Sequence, residues 1–254
     1  AVVLAGGSNV LVHLKPAPVV ARVMTSTNVL HDDLESWLTR EVTVGVFLAE
    51  RAVAVAPTRL APPGPHQHDG LWMTLWDYVP HDTSGGLPGA NELGDSLRRL
   101  HAALAEFTGE LEQLMSIQQW IGRLLDELRP APSLSSADIE SLRARLHGLT
   151  PRVFDSPQPT QAIHGDTSIS NLLRTDHGLL WNDLEDVCSG PVAWDVAGLV
   201  TSARIRGADD AFVEEMLDAY GGPRLDELSD FIAADELYMT VWQSYDVQRR
   251  RGNP

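Results

Sequence analysis

The stretch that most constrains this chain is Ile163-His164-Gly165-Asp166-Thr167-Ser168-Ile169-Ser170-Asn171, followed by Asn182-Asp183-Leu184-Glu185-Asp186. Two short apolar runs, Asn171–Thr175 and Leu179–Asn182, flank Asp176-His177-Gly178, and a Gly-containing link of that length between such runs predicts a hairpin. The hairpin folds the chain back, so Asp183 at its far end can face Asn171 at its start, with Asp166 on the loop just before. Two carboxylates and an amide oxygen then surround one small space. They are hard oxygen ligands or bases, as magnesium and phosphates require. Phosphoryl transfer needs little else: one group to orient and deprotonate a hydroxyl, and metal ions to neutralise phosphate charge.

The rest of the chain supplies two kinds of surroundings. Residues 1–24 read as β-structure, with Val10–Leu14 and Val19–Val23 separated by Lys15-Pro16-Ala17-Pro18, and Ala5-Gly6-Gly7-Ser8-Asn9 as a turn before them. Residues 32–51 are expected to be helical, with Leu38, Val42, Val46 and Ala49 as the apolar stripe. Gly70–Val79 reads as a strand ending at Pro80. The Pro- and Gly-containing stretch 80–90 is the expected boundary between a lobe at 1–79 and a lobe at 80–254. Beyond it Leu93, Leu97, Leu100 and Leu104 form a helical stripe. Further helices are expected at 110–128, 137–147 and from 192 to the end, with loops at 130–136 and 150–160. The expected fold is α+β: a small β-rich lobe with one helix, a linker and a larger helical lobe, leaving a ligand cleft between them.

Composition narrows the partners. A formal net charge of -16 argues against non-specific nucleic-acid binding and would favour a cationic substrate, although solubility alone also accounts for it. The single cysteine, Cys188, forbids an intrachain disulfide and fits a reducing, cytoplasmic setting. No apolar run approaches the ~18 residues of a membrane span. The first residues lack the basic-then-apolar pattern of a secretion signal, and the abrupt start on a strand leaves room for residues before Ala1. The nine His show no metal-ligand spacing, and His66 and His68 are expected in an exposed Pro-rich loop.

His-Gly-Asp, four residues, Asn171 and then Asp183 resembles the motif of the aminoglycoside phosphotransferases and choline kinase-like enzymes, which share the protein-kinase fold. Gly190-Pro191-Val192-Ala193-Trp194-Asp195 looks like the segment that follows in that family, with Gly190 or Ser189 where the family has an Asp. The resemblance implies a two-lobed protein-kinase-like fold and transfer of the γ-phosphate of ATP to a small-molecule hydroxyl. It implies Asp166 as catalytic base, Asn171 and Asp183 as Mg2+ ligands, Asp195 as a brace on the catalytic loop, and His164 as a structural member of that loop. Gly6, Gly7, Ser8 and Asn9 resemble the loop over the ATP phosphates, Arg22 stands where a cation contacts phosphate oxygens, and Glu41 resembles the helix carboxylate that pairs with it, with Glu35 as competitor. Asp77, Tyr78 and Val79, after Trp76, look like the hinge against adenine.

The acidic residues Asp209, Asp210 and Glu214, with Glu215 and Asp218, suit either a solvated helix face or, by the resemblance, the acceptor side of the site. An antibiotic such as an aminoglycoside fits a polycation-binding surface; a metabolic acceptor such as choline, a sugar or an amino alcohol is the alternative. A nucleotide-binding pseudoenzyme would be expected to lack Asp166, Asn171 or Asp183, and all three are present. A protein kinase lacks support, because the sequence has no Asp-Phe-Gly and no Ala-Pro-Glu segment.

Overall fold

The computed structural model describes residues 1–6, 9–25, 33–84 and 86–252. The chain opens with strands β1 (Val2–Gly6), β2 (Asn9–His13) and β3 (Val19–Met24), and continues through helix α1 (Leu34–Ala49) to β4 (His66–His68) and β5 (Leu71–Asp77). The five strands form one antiparallel sheet in the order β1-β2-β3-β5-β4. Val19, Ala21 and Met24 are buried on the central β3, which suits their small or apolar side chains.

β4 departs from the expected loop. Asp69 and Gly70 both take positive φ, 48° and 78°, the conformation a tight hairpin turn needs, and so the segment pairs back onto β5 as an edge strand. The stripe of α1 is also shifted. Val46 is exposed, while Trp37, Leu38, Val42, Val44, Gly45 and Leu48 face inward. Gly45 permits this: a Cβ there would lie 2.8 Å from the Trp76 ring, so helix and sheet approach where no side chain fits. Burial of that face holds the helix despite its β-branched residues.

The second lobe contains α2 (Ala90–Leu104), α3 (Met115–Glu127), α4 (Ser136–Val153), α5 (Val192–Ile205), α6 (Asp210–Tyr220) and α7 (Ser229–Gly252). The α2 stripe is as expected, with Leu93, Leu97, Leu100 and Leu104 buried. α3 starts later than residue 110, because the preceding backbone pairs elsewhere: Leu114 N–H donates to Ser189 O and Ser189 N–H to Glu112 O. α4 runs past 147 and includes Pro151, its last turn held by buried Leu149 and Val153.

Between α4 and α5 lie two small antiparallel pairs, β6 (Gln161–Ile163) with β9 (Cys188–Gly190), and the hairpin β7 (Leu172–Thr175) with β8 (Gly178–Trp181). The sequence predicts the hairpin alone, because three-residue strands leave too short a periodic signal. Trp181 joins the lobes: Val55 N–H donates to its carbonyl at 2.8 Å, and its N–H donates to Val53 O at 3.0 Å. Its side chain is fully buried in a core cluster that runs from Val44 and Trp76 to the helices of the second lobe.

Candidate active site

Asp166 sits on the loop leaving β6, and the backbone of that loop is fixed before any ligand enters. The buried Asp195 carboxylate, on the first turn of α5, accepts the N–H of His164 at 2.7 Å and of Gly165 at 2.9 Å. Thr167 Oγ1 donates to Asp195 O at 2.5 Å and Trp194 Nε1 to Gly165 O at 2.7 Å. Gly165 has φ +88°, and a Cβ there would lie 2.1 Å from Asp186 O, so only glycine fits. The buried His164 ring spans the loop: Nδ1 accepts the Asp166 N–H at 3.3 Å, and Nε2 lies 3.1 Å from Asn182 O. This leaves Nε2 as the protonated nitrogen and donor.

The Asp166 side chain is turned to the hairpin. Asn171 Nδ2 donates to Asp166 Oδ2 at 2.9 Å and to its carbonyl at 3.1 Å. With the amide nitrogen so used, the Asn171 Oδ1 is the atom left for a cation. Asn182 N–H donates to Asn171 O at 2.9 Å, which closes the hairpin and brings Asp183 alongside. Asp183 takes φ 60°, a left-handed conformation that is strained for a non-glycine residue. Burial lifts the Asp166 carboxyl above its ordinary range; His164 opposes the shift and Asp183 adds to it.

Arg22, on β3, is buried among three carboxylates. It contacts Glu41 of α1 at 3.1 Å, Asp183 at 2.7 Å, and Glu185. Burial works against its charge, but Asp183, Glu185 and Glu41 outweigh it, and the guanidinium holds its proton more tightly than usual. The acids bear the cost: burial pushes Glu41 up to about 7 despite Arg22, and lifts Glu185 well above the usual range. Trp37 Nε1 of α1 donates to Glu185 O at 2.7 Å, so helix and acidic segment are joined twice. Asp186 is pushed up to about 8 by burial and by the charges of Asp166 and Asp183.

A cleft of about 290 Å³ lies between the lobes. Leu4, Leu11, Val20 and Val55 give it apolar walls, Trp76–Val79 one end, and Arg22, Glu41 and Asp183 the polar end. Tyr78 N–H is taken by Pro18 O at 2.8 Å. Gly6 ends β1 and Asn9 begins β2, while Gly7 and Ser8 lie outside the described residues.

The structure therefore gathers Asp166, Asn171, Asp183, Arg22, Glu41, His164 and Asp195 into one network. It does not bring in Asp209, Asp210 or Glu214. Asp209 caps α6 by accepting Phe212 N–H at 2.9 Å, Asp210 pairs with Arg204 at 2.7 Å, and Glu214 borders a separate hollow with Asp218 and Arg224. Sequence reasoning missed Glu185 and Asp186, although both lie in the quoted acidic run. It also missed Asp235 and Tyr238 on α7. Burial, with the charge of Asp166 among the other causes, pushes Asp235 up to about 7 and Tyr238 well above its usual value. Their only sequence signal is a polar pair at helical spacing some seventy residues downstream of Asp166.

Residues 3–231 match the model of the family described as "Phosphotransferase enzyme family". A search of curated protein sequences finds no match. Among solved structures, the chain is similar to the amicoumacin kinase hAmiN in complex with AMP-PNP, Ca2+ and Ami, with TM-score 0.73 and 13% identity over 96% of this chain and 80% of that one. It is similar to the choline kinase LicA of Streptococcus pneumoniae, with TM-score 0.68 and 15% identity over 96% and 84% of the two chains. An aminoglycoside phosphotransferase of Streptomyces rimosus in complex with ADP and streptomycin gives TM-score 0.66 and 16% identity over 90% of each chain.

Proposed function

The chain belongs to the phosphotransferase enzyme family and has its two-lobed, kinase-like fold, and from that premise we propose that it transfers the γ-phosphoryl group of ATP to a hydroxyl of a small molecule, with Asp166 as base. The observation that carries this reading is the Asp166 carboxylate, held by the Asn171 amide at 2.9 Å and joined across the closed hairpin to Asp183. Residues 1–79 would form the nucleotide lobe, with the base of ATP at Asp77–Val79, and 80–254 the acceptor lobe.

The donor set suits magnesium. Asn171 offers a carbonyl oxygen and Asp183 a carboxylate whose side chain is 30% exposed. Among the described residues no three His, Cys, Asp or Glu side chains converge as a closed cage. An ion held by two protein oxygens and completed by phosphates and water is the way Mg2+ is usually bound. When bound, it would neutralise phosphate charge. Asp166 would orient the acceptor hydroxyl and take its proton as the oxygen attacks phosphorus and ADP leaves. Arg22 would give up its contact to Asp183 for the phosphate tail, while Glu41 and Glu185 keep it in place.

The α6 acids lie outside this network, held by their own helix cap and by Arg204, so no acceptor role is assigned to them. An antibiotic kinase and a choline, sugar or amino-alcohol kinase remain the two acceptor readings, and a cytoplasmic location accords with the free, buried Cys188. The test is ADP release from Mg·ATP across aminoglycosides, macrolides, choline, sugars and amino alcohols. Stimulation by one compound, abolished in Asp166→Asn with nucleotide affinity retained, is the expected result. A fully active Asp166→Asn would refute the assigned role.

A further inference from the structure

A second hollow, of about 210 Å³, opens beside the cleft. His81, Ser170 and Leu173 line both spaces, so the two adjoin. Two guanidinium groups line the hollow, from Arg174 of β7 and from Arg206 at the C-terminal end of α5. We propose that it is an anion subsite, in which Arg174 and Arg206 take a carboxylate or phosphate group borne by a ligand of the cleft. Where that ligand is the acceptor, the proposal rests on the kinase reading.

The two cations are left for a ligand. Arg204 pairs with Asp210 at 2.7 Å, whereas among the described residues no carboxylate lies within ion-pair distance of Arg206. Arg174 has one acid near it, Asp82 at 3.8 Å, too far for a hydrogen bond. Asp82 spends its oxygens on its own turn: Oδ1 accepts Ser84 N–H at 2.8 Å, and Oδ2 accepts the Ser84 hydroxyl at 2.9 Å. The Ser84 N–H, and then its hydroxyl, hold that carboxyl below the usual range, so it stays charged and opposes an anion. Two guanidinium groups against one carboxylate still leave the hollow positive, in a chain whose formal net charge is -16. His81 adds to that sign when protonated: its Nδ1 lies 2.8 Å from Val79 O and must donate, which leaves Nε2 to take a proton.

The frame is tied on both sides. Asp82 N–H donates to Arg174 O at 2.8 Å, which joins the linker after β5 to the strand that carries Arg174. Ile169 N–H donates to Ser202 Oγ at 2.9 Å, which joins the loop before β7 to the helix that carries Arg206. Buried Ile169 and Leu179 give the hollow apolar lining, against which a charge-assisted bond is less screened than in open water. A guanidinium fork suits carboxylate and phosphate alike. The group has two sources. A nucleotide with its base at Asp77–Val79 and its phosphates at Arg22 has its sugar in the cleft that His81 and Ser170 share with the hollow. An acceptor with its hydroxyl at Asp166 lies beside the same loop, which runs on to Ser170.

The test compares wild type with the double variant Arg174→Gln, Arg206→Gln. Calorimetry gives the dissociation constants of ADP and of ADP phosphorylated on its 2′- or 3′-hydroxyl. ADP release from Mg·ATP gives KM for acids and their neutral counterparts: glycerate and glycerol, gluconate and glucose, glucose 1-phosphate and glucose. In each protein the compound without the added acid group is the reference. If the nucleotide carries the anion, wild type binds a phosphorylated form about 10- to 100-fold tighter than ADP, the span of one hydrogen bond to a charged group, and the variant binds the two alike. If the acceptor carries it, the nucleotides bind alike, and an acid is turned over with a KM that rises by the same factor in the variant while kcat holds. The proposal is overturned if replacing the arginines changes neither ratio. If the double variant does not fold, Arg206→Gln alone, at an exposed helix end, is read by the same ratios. If no acceptor releases ADP, the kinase reading fails by itself, and the nucleotide ratio alone decides the hollow.

Discussion

Arg22 shows how much one side chain must hold here. Its fork contacts Glu41, Asp183 and Glu185, and a lysine ammonium, a point charge on a flexible stem, would not span all three. Arg22→Met leaves Glu41 and Glu185 buried without their cation, and breaking such a pair costs about 3–5 kcal/mol. Stability near pH 8 should fall by that order and recover toward pH ~5, where the two carboxyls take up protons. Equal loss at both pH values would mean that packing, not charge, is what Arg22 supplies. Asp235 gives a prediction of the same sign from a simpler site. Its folded value is about 7, raised first by burial and then by nearby charge including Asp166, against about 3.9 in an unfolded chain. The native state therefore holds this proton more tightly: the contribution is fully present below pH ~4 and is lost as pH rises through ~7. Asp235→Asn should match wild type in acid and exceed it in melting temperature at pH ~8; a constant difference across that range would count against the shift. The sequence made Asp166, Asn171, Asp183 and Asp195 legible because their spacing is fixed by one loop and one hairpin. Asp235 reaches the same place from a distant helix, and no local pattern encodes that approach.

At the level of elements, two glycines decide how closely backbones meet. Gly165 and Gly94 each face a carbonyl oxygen, at 2.1 Å and 2.2 Å from a built Cβ, but they separate different things. Gly94→Ala should wedge α2 from α6 at a cost of about 1–3 kcal/mol and lower the melting temperature, with the cleft still binding nucleotide. Gly165→Ala strains a positive-φ residue in the loop that carries Asp166 and, on the proposed reading, should abolish turnover. If Gly94→Ala melted as wild type does, the α2–α6 contact would be looser than the geometry requires. The strong stripe of α2 could be read from sequence, because four leucines at helical spacing admit one face. The α1 stripe holds at Leu38 and Val42 but not at Val46, because the Val and Thr residues make several stripes equally apolar and the fit of Gly45 to Trp76 selects one. β4, β6 and β9 have three residues each, and their pairing comes from the turn at Asp69-Gly70 and from contacts far along the chain.

Across the whole molecule, the cleft is a seam between two lobes whose fixed point is Trp181. The Val53–Val55 segment pairs with it on one side and the β7–β8 hairpin on the other, and the core cluster that holds its ring continues across both lobes. Across the seam, Arg22 and Glu41 of the first lobe meet Asp183 and Glu185 of the second, so three carboxyl groups share one guanidinium. A ligand that adds cations at Asp183 and phosphates at Arg22 would relieve that imbalance, whereas phosphates without a divalent ion would compete with the three acids for one guanidinium. Mg·ATP should therefore raise the melting temperature, by about 2.7 kcal/mol of added stability at one hundred times its dissociation constant, and ATP with a chelator should do much less. Asp183→Asn should remove most of the difference between the two conditions while Asp166→Asn leaves it intact, since Asp183 is the carboxylate held 2.7 Å from Arg22. Equal stabilisation by ATP with and without the metal would place the phosphates away from Asp183. The cleft would then still bind a nucleotide, but not in the orientation that brings its γ-phosphate to Asp166.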